Sequence, residues 1–235
     1  MILLALLAIA GVLGFYWLRS SSVFAVSEVS FPVAESVTEA EVRAIVEPVS
    51  GVNLLRVSTA DLEAGLRTIP YVRSARVYRH FPHGLEIDIE EYVPVARVRA
   101  SEGTDWLVAD DGMVLDEAGA SSHGLPLLVP EAEVSPQAGV PTVAQVAAAI
   151  PLALSLEDTL LWPASQHPVK QVSVLGSGEL TMVLEGGGEI RLGDAGQLEE
   201  KLMVALEIID RYLKEGKKLD YVDARVPTRV VAKAK

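Results

Sequence analysis

The chain has 235 residues, half of them hydrophobic, with 20 Lys and Arg against 32 Asp and Glu and a formal charge of −12. That length suits one large domain or two small ones. The charge argues against a nucleic-acid binder, which needs a basic footprint. With no cysteine, disulfide scaffolds, thiolate zinc sites, iron–sulfur clusters and cysteine nucleophiles are excluded.

Met1 to Leu18 carries no charged side chain, and Arg19 is the first. As a helix such a run reaches ~27 Å, about the thickness of a bilayer's hydrocarbon core. Phe15, Tyr16 and Trp17 fall where an interfacial aromatic belt belongs. A cleaved signal peptide would want a basic stretch ahead of the run and a small-x-small site after it. Neither Lys nor Arg precedes the run, and Ser20-Ser21-Ser22 is the only small-residue candidate. Residues 1–19 are therefore expected to form one transmembrane helix. The positive-inside rule has too few charges here to orient it.

Val23 to Phe31 reads as a strand ended by Pro32. Thr38 and Glu41 have capping-box spacing, and Val42, Ile45, Val46 and Val49 follow at helical spacing. Ser58 or Thr59 caps a second short helix with Leu62 and Leu66 on its buried side. Val72 to Arg79 reads as a strand, His80 to Gly84 as a turn. Leu85, Ile87 and Ile89 then alternate with Glu86, Asp88 and Glu90, one face buried and one in water. The order strand-helix-helix-strand-strand makes a small α+β unit over residues 23–93.

Beyond a boundary near Tyr92–Val95, short strands recur at Val95–Arg99, Trp106–Ala109, Met113–Leu115, Val169–Leu175, Leu180–Glu185 and Glu189–Leu192. Asp110-Asp111-Gly112, Gly176–Gly178 and Gly186–Gly188 read as tight turns between them. One helix is expected from about Thr142 towards Leu156, meeting Pro151. A second runs from about Ala195 to Leu213, with Leu198, Leu202, Ala205, Leu206 and Ile209 as its apolar stripe. Leu219 to Val231 is β-rich and contains Pro227. Residues 94–235 are thus expected to form a larger mixed β domain with two helices and an extended antiparallel sheet.

No catalytic constellation emerges, and no cofactor or metal is expected. His80 and His83 flank Phe81-Pro82 in a turn, and His123 and His167 are isolated. Asp110-Asp111-Gly112 lacks the further oxygen ligands of a calcium loop. Glu86, Asp88 and Glu90 read as a solvated strand face rather than an acid–base pair in a cleft. The glycine-rich turns lack the strand–turn–helix setting and Lys of a phosphate loop.

One family carries these motifs in this order. They are Phe24-Ala-Val26-Ser-Glu-Val29, Gly51-Val-Asn53-Leu54-Leu55, Ile69-Pro70-Tyr71-Val72, Phe81-Pro82 and Glu91-Tyr92-Val93-Pro94-Val95-Ala96. Asp110–Leu115, Gly124–Leu128, Leu192-Gly193 with Lys201-Leu202, and Tyr221-Val222-Asp223-Ala224-Arg225 continue the series. The chain resembles the bacterial cell-division family FtsQ/DivIB, with an FtsQ-type POTRA domain. The resemblance implies a non-enzymatic, single-pass inner-membrane protein of the division septum, N-terminus cytoplasmic and bulk extracytoplasmic. It implies FtsB-like and FtsL-like partners, and an FtsK-like or other early division protein on the POTRA unit. The family usually carries a basic cytoplasmic tail before the span; this sequence starts inside the apolar run, so either the lineage lacks the tail or the start is misplaced. Two other readings stand beside it: a POTRA-bearing export or outer-membrane assembly component, and a membrane-anchored cell-wall hydrolase. The first predicts a following β-barrel, the second a nucleophile–base pair or metal ligands.

The C-terminal end fits partner binding physically. From Lys214 onward seven basic residues face three acidic ones, a local balance of +4 on a body carrying −16. A basic tip steers an acidic partner, and Pro227 belongs on an edge or at a strand end. The plainer alternative is that Lys233 and Lys235 merely blunt an exposed edge. By the resemblance, the partner strand lies beside the segment after Tyr221-Val222-Asp223-Ala224-Arg225. That implicates Tyr221, Asp223, Val226, Thr228 and Val230, with Arg225 and Arg229 as charge partners.

Overall fold

The computed structural model describes residues 2–32 and 35–235, apart from the side chains of residues 2, 3 and 5. Two compact units divide the chain, Met1–Tyr92 and Val93–Lys235. The first contains helix α1 (Ile2–Ser20), strand β1 (Glu28–Ser30), helices α2 (Glu39–Val46) and α3 (Thr59–Leu66), and strands β2 (Val72–His80) and β3 (Gly84–Glu91). Helix α1 has 19 residues and carries Arg19 in its last turn. Met1, the first residue of the expected anchor, lies outside the described residues. Among the described residues no helix is long and apolar enough to cross a membrane. What is established for this stretch is its helical conformation.

Strands β1, β3 and β2 form a sheet in that order, β1 parallel and β2 antiparallel to β3. The first strand is shorter than the expected Val23–Phe31. Residues Ser22–Phe24 form a 3-10 turn, and Val26 exchanges backbone hydrogen bonds with Val52 and Gly51 instead of β3. Local chemistry starts both helices. The Thr38 hydroxyl accepts the Glu41 N–H at 3.3 Å while the Glu41 carboxylate accepts the Thr38 N–H at 2.8 Å, a complete capping box. The Ser58 hydroxyl caps α3 by accepting the Asp61 N–H. Val42, Val46, Leu62 and Leu66 then bury against Ala75, Val77, Leu85 and Ile87 of the sheet. Glu86 and Asp88 face solvent, as the period-two pattern of β3 predicts.

The second unit holds β4 (Pro94–Arg99), β5 (Asp105–Ala109), β6 (Val114–Glu117), β7 (Leu127–Pro130), α4 (Ala144–Ala147) and α5 (Ile150–Glu157). It continues with β8 (Val169–Val174), β9 (Leu180–Leu184), β10 (Glu189–Gly193), α6 (Leu198–Lys214), β11 (Leu219–Asp223) and β12 (Val231–Ala234). All nine strands join one sheet in the order β12-β11-β10-β9-β8-β7-β4-β5-β6. The sheet is mixed, not the expected antiparallel one: β4–β7, β7–β8 and β10–β11 pair in parallel. Parallel neighbours need long crossovers; the one from β4 to β7 carries β5 and β6, and the other two carry the helices. Helices α4 and α5 lie between β7 and β8, and α6 lies between β10 and β11.

The single helix expected over 142–156 is two. Pro151 stands in the first turn of α5, where a missing N–H leaves no hydrogen bond unmade, so the proline starts a helix rather than interrupting one. Helix α6 buries Leu198, Leu202, Ala205 and Ile209 as its stripe predicts, and Lys201 with them. The Lys201 ammonium, its side chain 3% exposed, donates to the Asp194 carbonyl and carboxylate, both at 2.9 Å. His167, expected to be isolated, is buried beside the fully buried Trp162. Trp162 Nε1 donates to the His167 carbonyl at 2.9 Å, and His167 Nε2 lies 3.1 Å from Asp210 Oδ1.

Candidate partner-binding edge

Strand β12 ends the nine-stranded sheet and pairs with β11 alone. Its register sets Val231 opposite Asp223, Ala232 opposite Val222 and Lys233 opposite Tyr221. The Lys235 N–H bonds the Lys218 carbonyl at 2.9 Å, while the Ala224 N–H turns the other way, to Arg191 on β10, at 2.9 Å. Backbone groups alternate along an antiparallel ladder. Val231 and Lys233 therefore point theirs at β11, and Ala232 and Ala234 point theirs outward. Among the described residues those outward groups find no hydrogen-bond partner. Ala232 packs on the core, whereas Val231 is 57% exposed.

The residues singled out from the sequence fall in two places. Tyr221 and Asp223 are on β11, one strand in from the edge. The Arg191 guanidinium sits over the Tyr221 ring at 4.4 Å from its centroid. Arg225 grips the Asp223 carboxylate with Nε at 2.9 Å and Nη2 at 2.6 Å. That charge-assisted pairing holds the Asp223 carboxyl below its ordinary pKa, and correspondingly raises the Arg225 guanidinium. Arg225 thus has a partner within the chain and is not a spare charge.

The β-rich stretch expected over Leu219–Val231 is not continuous. Pro227–Arg229 form a 3-10 turn, so Thr228 and Arg229 lie in the turn, flanked by Val226 and Val230. Proline sets a turn geometry and cannot donate to a ladder. The edge strand stands just after it, at Val231–Ala234. Its signal in the sequence was the apolar–basic alternation Ala232-Lys233-Ala234-Lys235. Asp223, Arg225, Val226, Arg229 and Val231 line a depression of about 390 Å³ beside this edge.

Every acid of the basic tip is taken. Glu215 pairs with Lys217 at 2.7 Å, Asp220 with Lys233 at 3.0 Å, and Asp223 with Arg225. Asp220 holds the Lys233 ammonium above its usual value, and Lys217 holds the Glu215 carboxyl below its own. Among the described residues Lys214, Lys218, Arg229 and Lys235 have no carboxylate partner. The local excess of positive charge resides in these four side chains. Among the described residues no group of three or more His, Asp or Glu could hold a metal ion.

A strand-helix-helix-strand-strand unit followed by a mixed sheet with an open last strand defines a POTRA-bearing protein of two domains. Residues 24–92 match the family model of the FtsQ-type POTRA domain, and residues 96–225 that of the FtsQ/DivIB C-terminal domain. The chain is 30% identical over 224 residues to the cell division protein FtsQ of Anaeromyxobacter sp. (strain K), covering 93% of this chain and 74% of that protein. It is 32% identical over 130 residues to FtsQ of Streptomyces collinus, covering 54% of this chain and 49% of that one. Against FtsQ of Myxococcus fulvus the identity is 27% over 193 residues, covering 79% of this chain and 64% of that protein. The chain belongs to the FtsQ/DivIB family of cell-division proteins.

Proposed function

We propose that the protein is a non-enzymatic scaffold of the bacterial divisome that recruits and links FtsB-like and FtsL-like proteins at the septum. Helix α1 anchors it in the cytoplasmic membrane, N-terminus inside and both domains outside. The FtsB-like partner adds a strand to β12, and the POTRA unit serves an FtsK-like or other early division protein. The observation that carries this reading is the open β12 edge, whose outward Ala232 and Ala234 backbone groups are unpaired beside exposed Val231. Main-chain bonds supply affinity in strand addition, and neighbouring side chains supply register. The unpaired Lys218, Arg229 and Lys235 favour an acidic segment. For the anchor, the support is that the uncharged run ending at Leu18 is helical, with an aromatic cluster at its end.

The test is a titration of the detergent-solubilised full chain with the extracytoplasmic segment of the same organism's FtsB-like protein, alone and with its FtsL-like partner. A variant ending at Val230 runs alongside, its folding checked by circular dichroism. Saturable binding that the truncation abolishes is the expected result. Full binding by the folded truncation moves the site elsewhere, and no binding to the intact chain overturns the scaffold reading.

A further inference from the structure

Three segments converge at one end of the first unit. Asn53, the chain's single asparagine, is buried and donates Nδ2 to the carbonyls of Leu18 and Ser21, both at 2.9 Å. Its Oδ1 accepts the Leu55 N–H at 3.0 Å. The last carbonyls of a helix lack intrahelical donors, so this side chain caps the end of α1 from the loop that follows α2. The Leu54 N–H bonds the Phe24 carbonyl at 2.7 Å. Arg79, next to last in β2, donates to the carbonyls of Leu54 at 3.1 Å and Val57 at 2.6 Å. The Ser27 N–H bonds the His83 carbonyl at 3.1 Å. The turn joining β2 to β3 is thereby fixed beside the exit of α1.

At this end the surface is apolar where a turn is ordinarily polar. Phe81 meets Phe24 edge to face, ring centroids 6.2 Å apart, yet Phe81 is 58% exposed and Val23 59%. The acids nearby face histidines, Glu28 towards His83 and Glu86 paired with His80. Arg19 and Arg56 are exposed and have no carboxylate partner among the described residues.

We infer that the Phe81 turn, together with Val23, is a second membrane contact that seats in the interfacial layer of the bilayer and fixes the tilt of the POTRA unit. This rests on reading α1 as the membrane anchor. Covalent continuity selects the occupant. Val23 follows the last residue of α1 by three positions, at most ~11 Å of chain, and Asn53 removes the slack. Aromatic rings favour the headgroup level, and arginines there suit anionic lipid.

The chain has no cysteine, so His80→Cys and Thr68→Cys each supply a single thiol for an environment-sensitive fluorophore. Strand β2 spans ~26 Å from Val72 to His80, and Thr68 stands before its far end, which makes it the reference remote from the turn. Each labelled full chain is reconstituted into phosphatidylethanolamine–phosphatidylglycerol vesicles containing a spin-labelled quencher lipid, and association is scored by flotation. Quenching several-fold stronger at position 80 than at 68, abolished by Phe81→Ser, is the expected result. A protein that floats with the vesicles but is quenched alike at both positions overturns the turn contact and leaves the anchor standing. Quenching at 80 that survives Phe81→Ser removes Phe81 from the contact and overturns the inference. A protein that does not float overturns both.

Discussion

The two edges of the nine-stranded sheet are treated differently by the chain. At β6 the backbone returns to close the edge: the Val114 N–H bonds the Val140 carbonyl at 3.1 Å, and the Gly139 N–H bonds the Val114 carbonyl at 2.8 Å. Met113 and Pro141 form a further bridge there. Along β12 the outward Ala232 and Ala234 backbone groups find no partner among the described residues. The smaller sheet closes an edge by other means. On β2 the outward Val77 N–H donates to the Glu63 carboxylate of α3 at 2.9 Å. Unpaired edges invite association, and proteins cover the ones they do not use. A molecule that covers β6 with its own chain and caps β2 with a carboxylate has the means to close an edge. Of the three edges compared, β12 is the one left open, which is the ground for proposing it as the binding edge.

Stability should reside in the middle of the sheet and binding at its open end. Leu128 on β7 is fully buried among the central strands. Leu128→Ala is expected to lower unfolding free energy by ~2–5 kcal/mol in urea titration. A loss of that size from truncating exposed Val231 would break the division between centre and edge. Next in size is a backbone effect. The Ala232 N–H faces away from β11, so Ala232→Pro removes no ladder bond but blocks an incoming strand. Affinity for the FtsB-like segment should fall at least about tenfold, ~1.4 kcal/mol, with the urea midpoint unchanged. Lys233→Pro, one residue on, breaks an inward bond and should lower stability as well.

Uncapping the other edge should cost less. Glu63→Ala frees the Val77 N–H and removes one charge-assisted bond, expected to cost ~1–2 kcal/mol. Hydrogen exchange at Val77 should quicken, while titration of the FtsB-like segment is unaltered. Altered binding would mean that the two edges are not independent.

Sequence patterning is legible where one face of an element is wet. The alternation of Leu85, Ile87 and Ile89 with acids, and the Thr38–Glu41 box, each specify an element locally. Strand β7 leaves no such trace: Leu127-Leu128-Val129 is a three-residue apolar run between Pro126 and Pro130, too short to show a period. The C-terminal β-rich stretch was legible, but the turn that divides it was not, for a physical reason. Val226, Val230 and Val231 are all β-branched, and nothing local says that Pro227 nucleates a turn before the strand instead of standing on it. Nor does a helical stripe reveal that Lys201 is buried, since its partner Asp194 lies across a loop.

The smallest effect bears on whether β11 side chains belong to the binding edge. Arg225 depresses the Asp223 carboxyl, so the pair stabilises the fold above the ordinary carboxylate range and loses that contribution as pH falls through the lowered folded value. Asp223→Asn should therefore be slightly less stable at neutral pH, the gap to the parent chain narrowing below about pH 4. Arg225 is half exposed, so solvent screening keeps the difference small. Binding should move the opposite way. Neutralising Asp223 releases a fifth cation beside β12, and affinity for an acidic segment should rise modestly at low salt and lose the gain at high salt. Weaker binding by a folded Asp223→Asn would mean that the carboxylate itself meets the partner, and that the site extends one strand inward from the edge.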